Sequence, residues 1–174
     1  HPLAKDGSDL AAVGERERQL LEPIRVVREV PVQEMIPAAD GSWTLDFGKN
    51  MAGWVRLRMQ GKPGQKISIK PAEMIHPDGN VDTTSLRKAH PLDTYIFRGE
   101  GVEEWEPRFT YHGFRYVKVK GITEEQAVKG LLTYLVYHTE LHTRGDFSCS
   151  DPVATTLQEM TRRSILSNFH HFPT

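Results

Sequence analysis

Ala52-Gly53-Trp54-Val55-Arg56-Leu57-Arg58-Met59 alternates between two kinds of side chain. Val55, Leu57 and Met59 fall on one face of an extended chain and Trp54, Arg56 and Arg58 on the other. That is the period-two pattern of a strand with one face against a core. Similar runs lie on either side, at residues 43–47, 66–75, 94–98, 104–110, 114–120 and 127–141. Turn formers separate them: Asp40-Gly41, Gly48-Lys49-Asn50, Gly61-Lys62-Pro63-Gly64, Pro77-Asp78-Gly79-Asn80, Gly99-Glu100-Gly101, His112-Gly113 and Gly121. Many short strands with no helix between them predict an all-β fold, an antiparallel β-sandwich of the jelly-roll kind.

Within these runs Ile67 and Ile69 repeat the alternation between Lys66, Ser68 and Lys70. In 114–119 the aromatic pair Phe114 and Tyr116 opposes Val117 and Val119, which predicts cover on both sides. The near-continuous apolar run 131–137 reads as a central strand. Residues 24–36 are rich in β-branched side chains and interrupted by Pro31, as in one long strand with a bend near a sheet edge. After these strands Ser150-Asp151-Pro152 has the form of a helix start, a capping residue followed by proline at the first helical position. Val153, Leu157 and Met160 follow at helical spacing, with Arg162-Arg163 placed late to suit the helix dipole. One C-terminal helix after so many strands reads as the opening element of a second domain. The predicted organisation is a linker over 1–22, a sandwich over 23–147 and the start of another domain over 148–174.

Composition narrows the function classes. The 174 residues carry 22 Lys+Arg against 23 Asp+Glu, a net charge of −1, which offers no field for nucleic acid or an anionic membrane. No apolar run approaches the roughly 20 residues of a membrane span. Hydrophobic residues make up 38%, enough for a core. The single cysteine, Cys149, excludes an internal disulfide and reads as a packed side chain, since no histidine is tied to it locally. Cytoplasm and export are both compatible with this. The start at His1-Pro2 and the end at Thr174, just after the helix, read as the bounds of an excised fragment.

Few residues suggest chemistry. No G-x-S-x-G, Walker or dinucleotide motif occurs. Asp78, Asn80 and Asp82 place oxygen ligands at alternate positions around Gly79, the ligand type calcium takes, yet the bidentate glutamate of an EF-hand is missing. A tight Asp-Gly turn is the plainer reading. His170-His171 are adjacent, which prevents both from facing one metal, and no other cofactor is expected. Glu103, Glu104 and Glu106 surround Trp105; Glu104 and Glu106 share a strand face, and a solvated sheet face is a plainer reading of them than an acid–base pair. Trp54 and Trp105 are the candidates for stacking on a sugar ring, against the alternative that both pack.

Longer stretches resemble the bacterial α-L-rhamnosidases of glycoside hydrolase family 78. They are Asp46-Phe47-Gly48-Lys49-Asn50-Met51-Ala52-Gly53-Trp54-Val55-Arg56-Leu57, Ala72-Glu73, Asp78-Gly79-Asn80, Asp93-Thr94-Tyr95, and Trp105-Glu106-Pro107-Arg108-Phe109-Thr110-Tyr111-His112-Gly113-Phe114-Arg115-Tyr116-Val117, with Gly145 to Pro152 and the ending from Asn168. Lys49 departs from the glutamine usual there. The resemblance implies a concanavalin-like sandwich followed by the first helix of an (α/α)6 catalytic barrel. It also implies a parent that removes terminal α-L-rhamnose with inversion, using glutamates of the barrel. This stretch would then hold no catalytic residue; its partners would be that barrel and, through it, a rhamnosyl carbohydrate. The alternative is a carbohydrate-binding module built on Trp54 or on the 78–82 loop.

Overall fold

The computed structural model describes residues 20–173, so most of the predicted 1–22 linker lies outside the described residues. In chain order the strands are β1 (Ile24–Pro31), β2 (Glu34–Pro37), β3 (Trp43–Gln60), β4 (Lys66–Ala72), β5 (Met74–Ile75), β6 (Val81–Asp82), β7 (Asp93–Ile96), β8 (Val102–Trp105), β9 (His112–Lys120) and β10 (Leu132–Thr139). Helix α1 (Pro152–Ser167) and a small hairpin, β11 (Phe169–His170) with β12 (Phe172–Pro173), follow. Eight strands form one curled antiparallel sheet in the order β1-β10-β3-β9-β4-β7, with β2 and β8 also paired to β3. The all-β sandwich with one C-terminal helix is therefore observed.

Strand β3 organises the sheet. The sequence suggested two strands, 43–47 and 52–59, around a Gly48-Lys49-Asn50 turn; the chain instead runs through as one strand of 18 residues. Its pairing with β9 slips between Asp46 and Met51, so the turn-like residues form a bulge rather than a hairpin. One local and one long-range hydrogen bond hold it. Asp46 accepts the Gly48 N–H at 2.6 Å, and the hydroxyl of Tyr134 on β10 donates to the Met51 carbonyl.

Val55, Leu57, Met59, Ile67 and Ile69 all enter one core cluster, as the alternation required. Tyr134 stands at its centre, its ring stacked on Phe114 at 4.0 Å and edge-on to Phe47 at 5.3 Å. Strand β9 differs from its sequence reading. Phe114, Val117 and Val119 share the same core, because the alternation slips beside the β3 bulge, and Tyr116 is left half-buried. The predicted strand 24–36 divides at Val32-Gln33, where β1 pairs with β10 and β2 turns to pair with β3.

Residues 140–151, which include the expected domain break, have no regular structure. Helix α1 starts where expected: Asp151 accepts the Val153 N–H at 2.8 Å and Pro152 takes the first position. Arg162 and Arg163 fall before the last turn, which is closed by the Asn168 N–H instead. No residue of α1 is buried, and no described helix is long and apolar enough to cross a membrane.

Candidate functional site

The outer face of β3 and β10 carries the residues with chemical interest. Trp54 pairs with Leu135 and Arg56 with Thr133, and on the far side of β10 Glu29 pairs with Leu135. Leu135 is fully buried yet lies outside the core cluster, so this outer face has cover of its own. Gly53 permits the close approach: a Cβ there would lie 1.9 Å from the Leu135 carbonyl oxygen.

Arg56 is the electrostatic centre of this face. Its guanidinium lies 3.0 Å from Glu29, 3.3 Å from Glu106 and 3.6 Å from Glu104. Burial pushes its pKa down, but Glu29 and Glu106 outweigh burial and hold it above the ordinary value. Glu104 and Glu106 thus converge on one cation. Glu103 goes the other way, into the interior, where it accepts from the Tyr95 hydroxyl at 2.7 Å and the Gly99 N–H at 2.8 Å. Burial raises the Glu103 pKa, and these donors more than reverse it, leaving the carboxyl below its usual range.

Trp54 and Trp105 stand on opposite faces. The Trp54 indole N–H donates to Glu106 at 3.4 Å and its ring lies 4.9 Å from Tyr137. Trp105 pairs with Leu57, packs on the core and lies 5.5 Å from Tyr95. The structure therefore does not bring them together into one platform.

An aromatic ladder that sequence alone did not assemble continues from Trp54. Tyr137 lies 5.4 Å from His170, and His170 stacks on Tyr111 at 4.4 Å. These rings seat the C-terminal hairpin on the sandwich, together with the bond from the His171 N–H to the Thr139 hydroxyl at 2.7 Å. Burial pushes the His170 imidazole below its ordinary pKa. Among the described residues no group of three or more His, Cys, Asp or Glu side chains is placed to hold a metal.

Asp78, Asn80 and Asp82 lie in the β5–β6 hairpin. Asp78 accepts the Asn80 N–H at 3.0 Å and its side-chain N–H at 2.8 Å, which lowers its pKa. Asp82 accepts the Thr84 N–H at 2.8 Å and is lowered for that reason. Gly79, at φ 80°, gives its carbonyl to the Thr44 hydroxyl at 2.7 Å, and the Lys118 ammonium donates to Asn80. Each member thus serves the turn or anchors it to the sheet.

Helix α1 crosses the β3 bulge and leaves two clefts of about 480 and 440 Å³ beneath it, the first between Met51, Val136 and Leu166, the second between Asn50, Tyr111 and Met160. Along the helix Val153, Leu157, Met160 and Ile165 are each more than half exposed, with Met160 at the rim of the second cleft. Val153, Leu157 and Met160 have the spacing of a helix face made to be covered.

The model of the bacterial α-L-rhamnosidase concanavalin-like domain matches residues 36–138, from β2 to the end of β10. The chain belongs to that family. An α-L-rhamnosidase of Streptomyces avermitilis is 36% identical over 172 residues, 99% of this chain and 17% of its own length. The crystal structure of the Streptomyces avermitilis α-L-rhamnosidase complexed with L-rhamnose superposes with a TM-score of 0.85 at 36% identity, over 90% of this chain and 15% of that one. The native Aspergillus terreus enzyme gives 0.82 at 40% identity, over 88% and 18%. The chain thus spans about one sixth of the relatives it matches.

Within this rhamnosidase-family sandwich the motif residues have structural work. Arg115 makes a two-pronged ion pair with Asp46 at 2.8 and 2.6 Å, fastening β9 to the bulge. Burial raises the Asp46 pKa, and Arg115 with the Gly48 N–H overturns that, so the carboxyl titrates below its usual value.

Proposed function

We propose that this chain is the non-catalytic sandwich and first barrel helix of an inverting α-L-rhamnosidase. The parent would release terminal α-L-rhamnose from glycosides or polysaccharides. One observation carries the reading: α1 buries none of its residues and leaves Val153 at 72% and Leu157 at 63% exposure, in a chain one sixth the length of its rhamnosidase relatives. An apolar helix face of that kind is stable in water only with a partner, and the remaining helices of a barrel supply one. An inverting mechanism also needs two carboxyl groups about 6.5–9.5 Å apart across a water. Here Glu104 and Glu106 meet at Arg56 and Glu103 is held inside, which supports a catalytic pair lying in the barrel. The sandwich supports that barrel through the β3 bulge and the aromatic ladder.

Leu157→Asp tests this. In the present chain it leaves the unfolding free energy within about 0.5 kcal/mol, as for other exposed positions. In the longer protein it costs several times that, because a charge is forced into an apolar contact. Equal effects in the two would refute the reading.

A rhamnosyl-binding role is the second reading. It is favoured by the position of Trp54, a half-buried indole bordered by Glu106 and Arg56, which together offer a ring face and hydrogen-bonding groups. Calorimetric titration with L-rhamnose and rhamnosyl oligosaccharides, with calcium and then with chelator, decides it. Saturable heat lost in Trp54→Ala supports this reading. Loss in chelator points to the 78–82 loop, and no heat in either condition dismisses it.

A further inference from the structure

Phe109 is the most exposed large apolar residue described, at 108% relative accessibility. Among the described residues it is also one of three non-glycine residues with positive φ, at 58°, a conformation that sterics disfavour for bulky L side chains. The other two are compensated: the His171 N–H bonds to Thr139 at 2.7 Å, and the Arg87 N–H bonds to Thr84 at 3.3 Å. Phe109 has no hydrogen bond, ring contact or packing that would offset its backbone. The sequence places it in a strand over 104–110, but β8 stops at Trp105, ahead of Pro107, and the chain bends outward.

The loop is not loose at its far end. Tyr111, two residues on, is stacked on His170 and lines the cleft under α1 beside Met160. The ring is thus held out from an anchored loop, on a rim that adjoins the exposed stripe of α1. Strain kept at a position with no internal reward marks a residue whose partner lies elsewhere.

We propose that Phe109 is an interface anchor, inserting its ring into an apolar pocket between helices of the domain that continues from α1. This rests on the reading above and adds a second, separate contact to it. A continuation of the same polypeptide is the occupant because the relatives are about six times longer than this chain. Moreover, the described chain ends in β12, two residues after the His170 that stacks on Tyr111. The C-terminal hairpin therefore lies beside the loop. Arg108 and Phe109 are residue types enriched in the buried centres of interfaces.

Hydroxyl-radical footprinting of the unmutated protein tests this. Oxidation at Phe109 is read by mass spectrometry in the present chain and in the longer protein, with Leu157 as the internal reference for the α1 interface. The proposal expects at least tenfold slower oxidation of both residues in the longer protein. If Leu157 is protected and Phe109 is not, the anchor is wrong and the sandwich-and-barrel reading stands. If neither is protected, both fall. If rhamnosyl oligosaccharides protect Phe109 in the present chain and the longer protein alone does not, the ring is a sugar platform and the proposal is overturned. A second variant separates strain from anchoring. Phe109→Gly should hold or raise the melting temperature of the present chain and lower that of the longer protein; lowering both equally would contradict the proposal.

Discussion

Replacing Tyr134 by phenylalanine removes one oxygen atom and tests what holds the β3 bulge. The side chain is completely buried, and its hydroxyl donates to the Met51 carbonyl while also lying 3.2 Å from the carbonyl of Phe114. The ring itself is kept, so the stacking on Phe114 and the edge contact with Phe47 persist. What is lost is one net hydrogen bond, together with the satisfaction of a buried carbonyl that water cannot reach. The sum is about 2 kcal/mol, equivalent to about 4–8 °C in melting temperature for a domain of this size. Urea unfolding followed by tryptophan fluorescence measures it, with an unchanged denaturant slope as the sign that the native state is intact. Tyr137→Phe, on the outer face with no hydrogen bond at its hydroxyl, is the control and should stay within about 0.5 kcal/mol of the parent. A second readout comes from alkali. Burial holds the Tyr134 phenol far above its ordinary pKa, so above about pH 10 the unfolded chain loses that proton and the native state keeps it. Stability is therefore complete below pH 10 and falls as pH rises beyond it, and Tyr134→Phe should make that fall shallower. A cost below about 0.5 kcal/mol, or an alkaline limb unchanged by the substitution, would refute the argument.

Three further outcomes follow from the same geometry. Gly53→Ala should cost about 3 kcal/mol or more, because the new Cβ meets a backbone carbonyl that cannot yield, whereas Gly130→Ala, where a Cβ meets nothing within 4 Å, should be close to neutral. Asp46→Asn should cost about 1–2 kcal/mol, since Arg115 is partly exposed and water replaces some of what is lost. The Asp46 carboxyl is lowered in the native state, so its contribution is present above about pH 4 and is lost as pH falls; acid titration of the Asn variant should show a flatter limb. The lowered His170 imidazole, facing Tyr111 and Tyr137 with His138 and His171 nearby, stabilises the hairpin above about pH 6.5 and ceases to do so as pH falls. Amide exchange at residues 169–173 should accelerate between pH 7 and 5, and His170→Phe should remove that dependence.

The strands were legible because alternation and turn residues are local properties. Val55, Leu57, Ile67 and Ile69 reached the core on the faces their spacing assigned. The Asp151-Pro152 start of α1 was equally local. The continuity of β3 was not legible, since Gly48-Lys49-Asn50 has the composition of a hairpin turn. What makes it a bulge is Tyr134, whose hydroxyl arrives from 83 residues away. The slip in β9 follows from that bulge and was hidden for the same reason. The candidate site was legible only as separate residues. Trp54 was singled out, but its neighbours Tyr137, Tyr111 and His170 come from two strand ends and the C-terminal hairpin. Phe109 read as one more strand residue because backbone handedness leaves no trace in composition; the Pro107 before it was the available sign.

The proposal stands or falls on whether this sandwich is part of a rhamnosidase whose catalysis lies outside it. Hydrolysis of an aryl α-L-rhamnoside, followed by proton magnetic resonance at the anomeric position, tests it most directly. No turnover above buffer is expected for the present chain. Turnover is expected for the longer protein, with β-L-rhamnose as the first product. Turnover by the present chain alone, or a longer protein with no action on α-L-rhamnosides, would contradict the proposal.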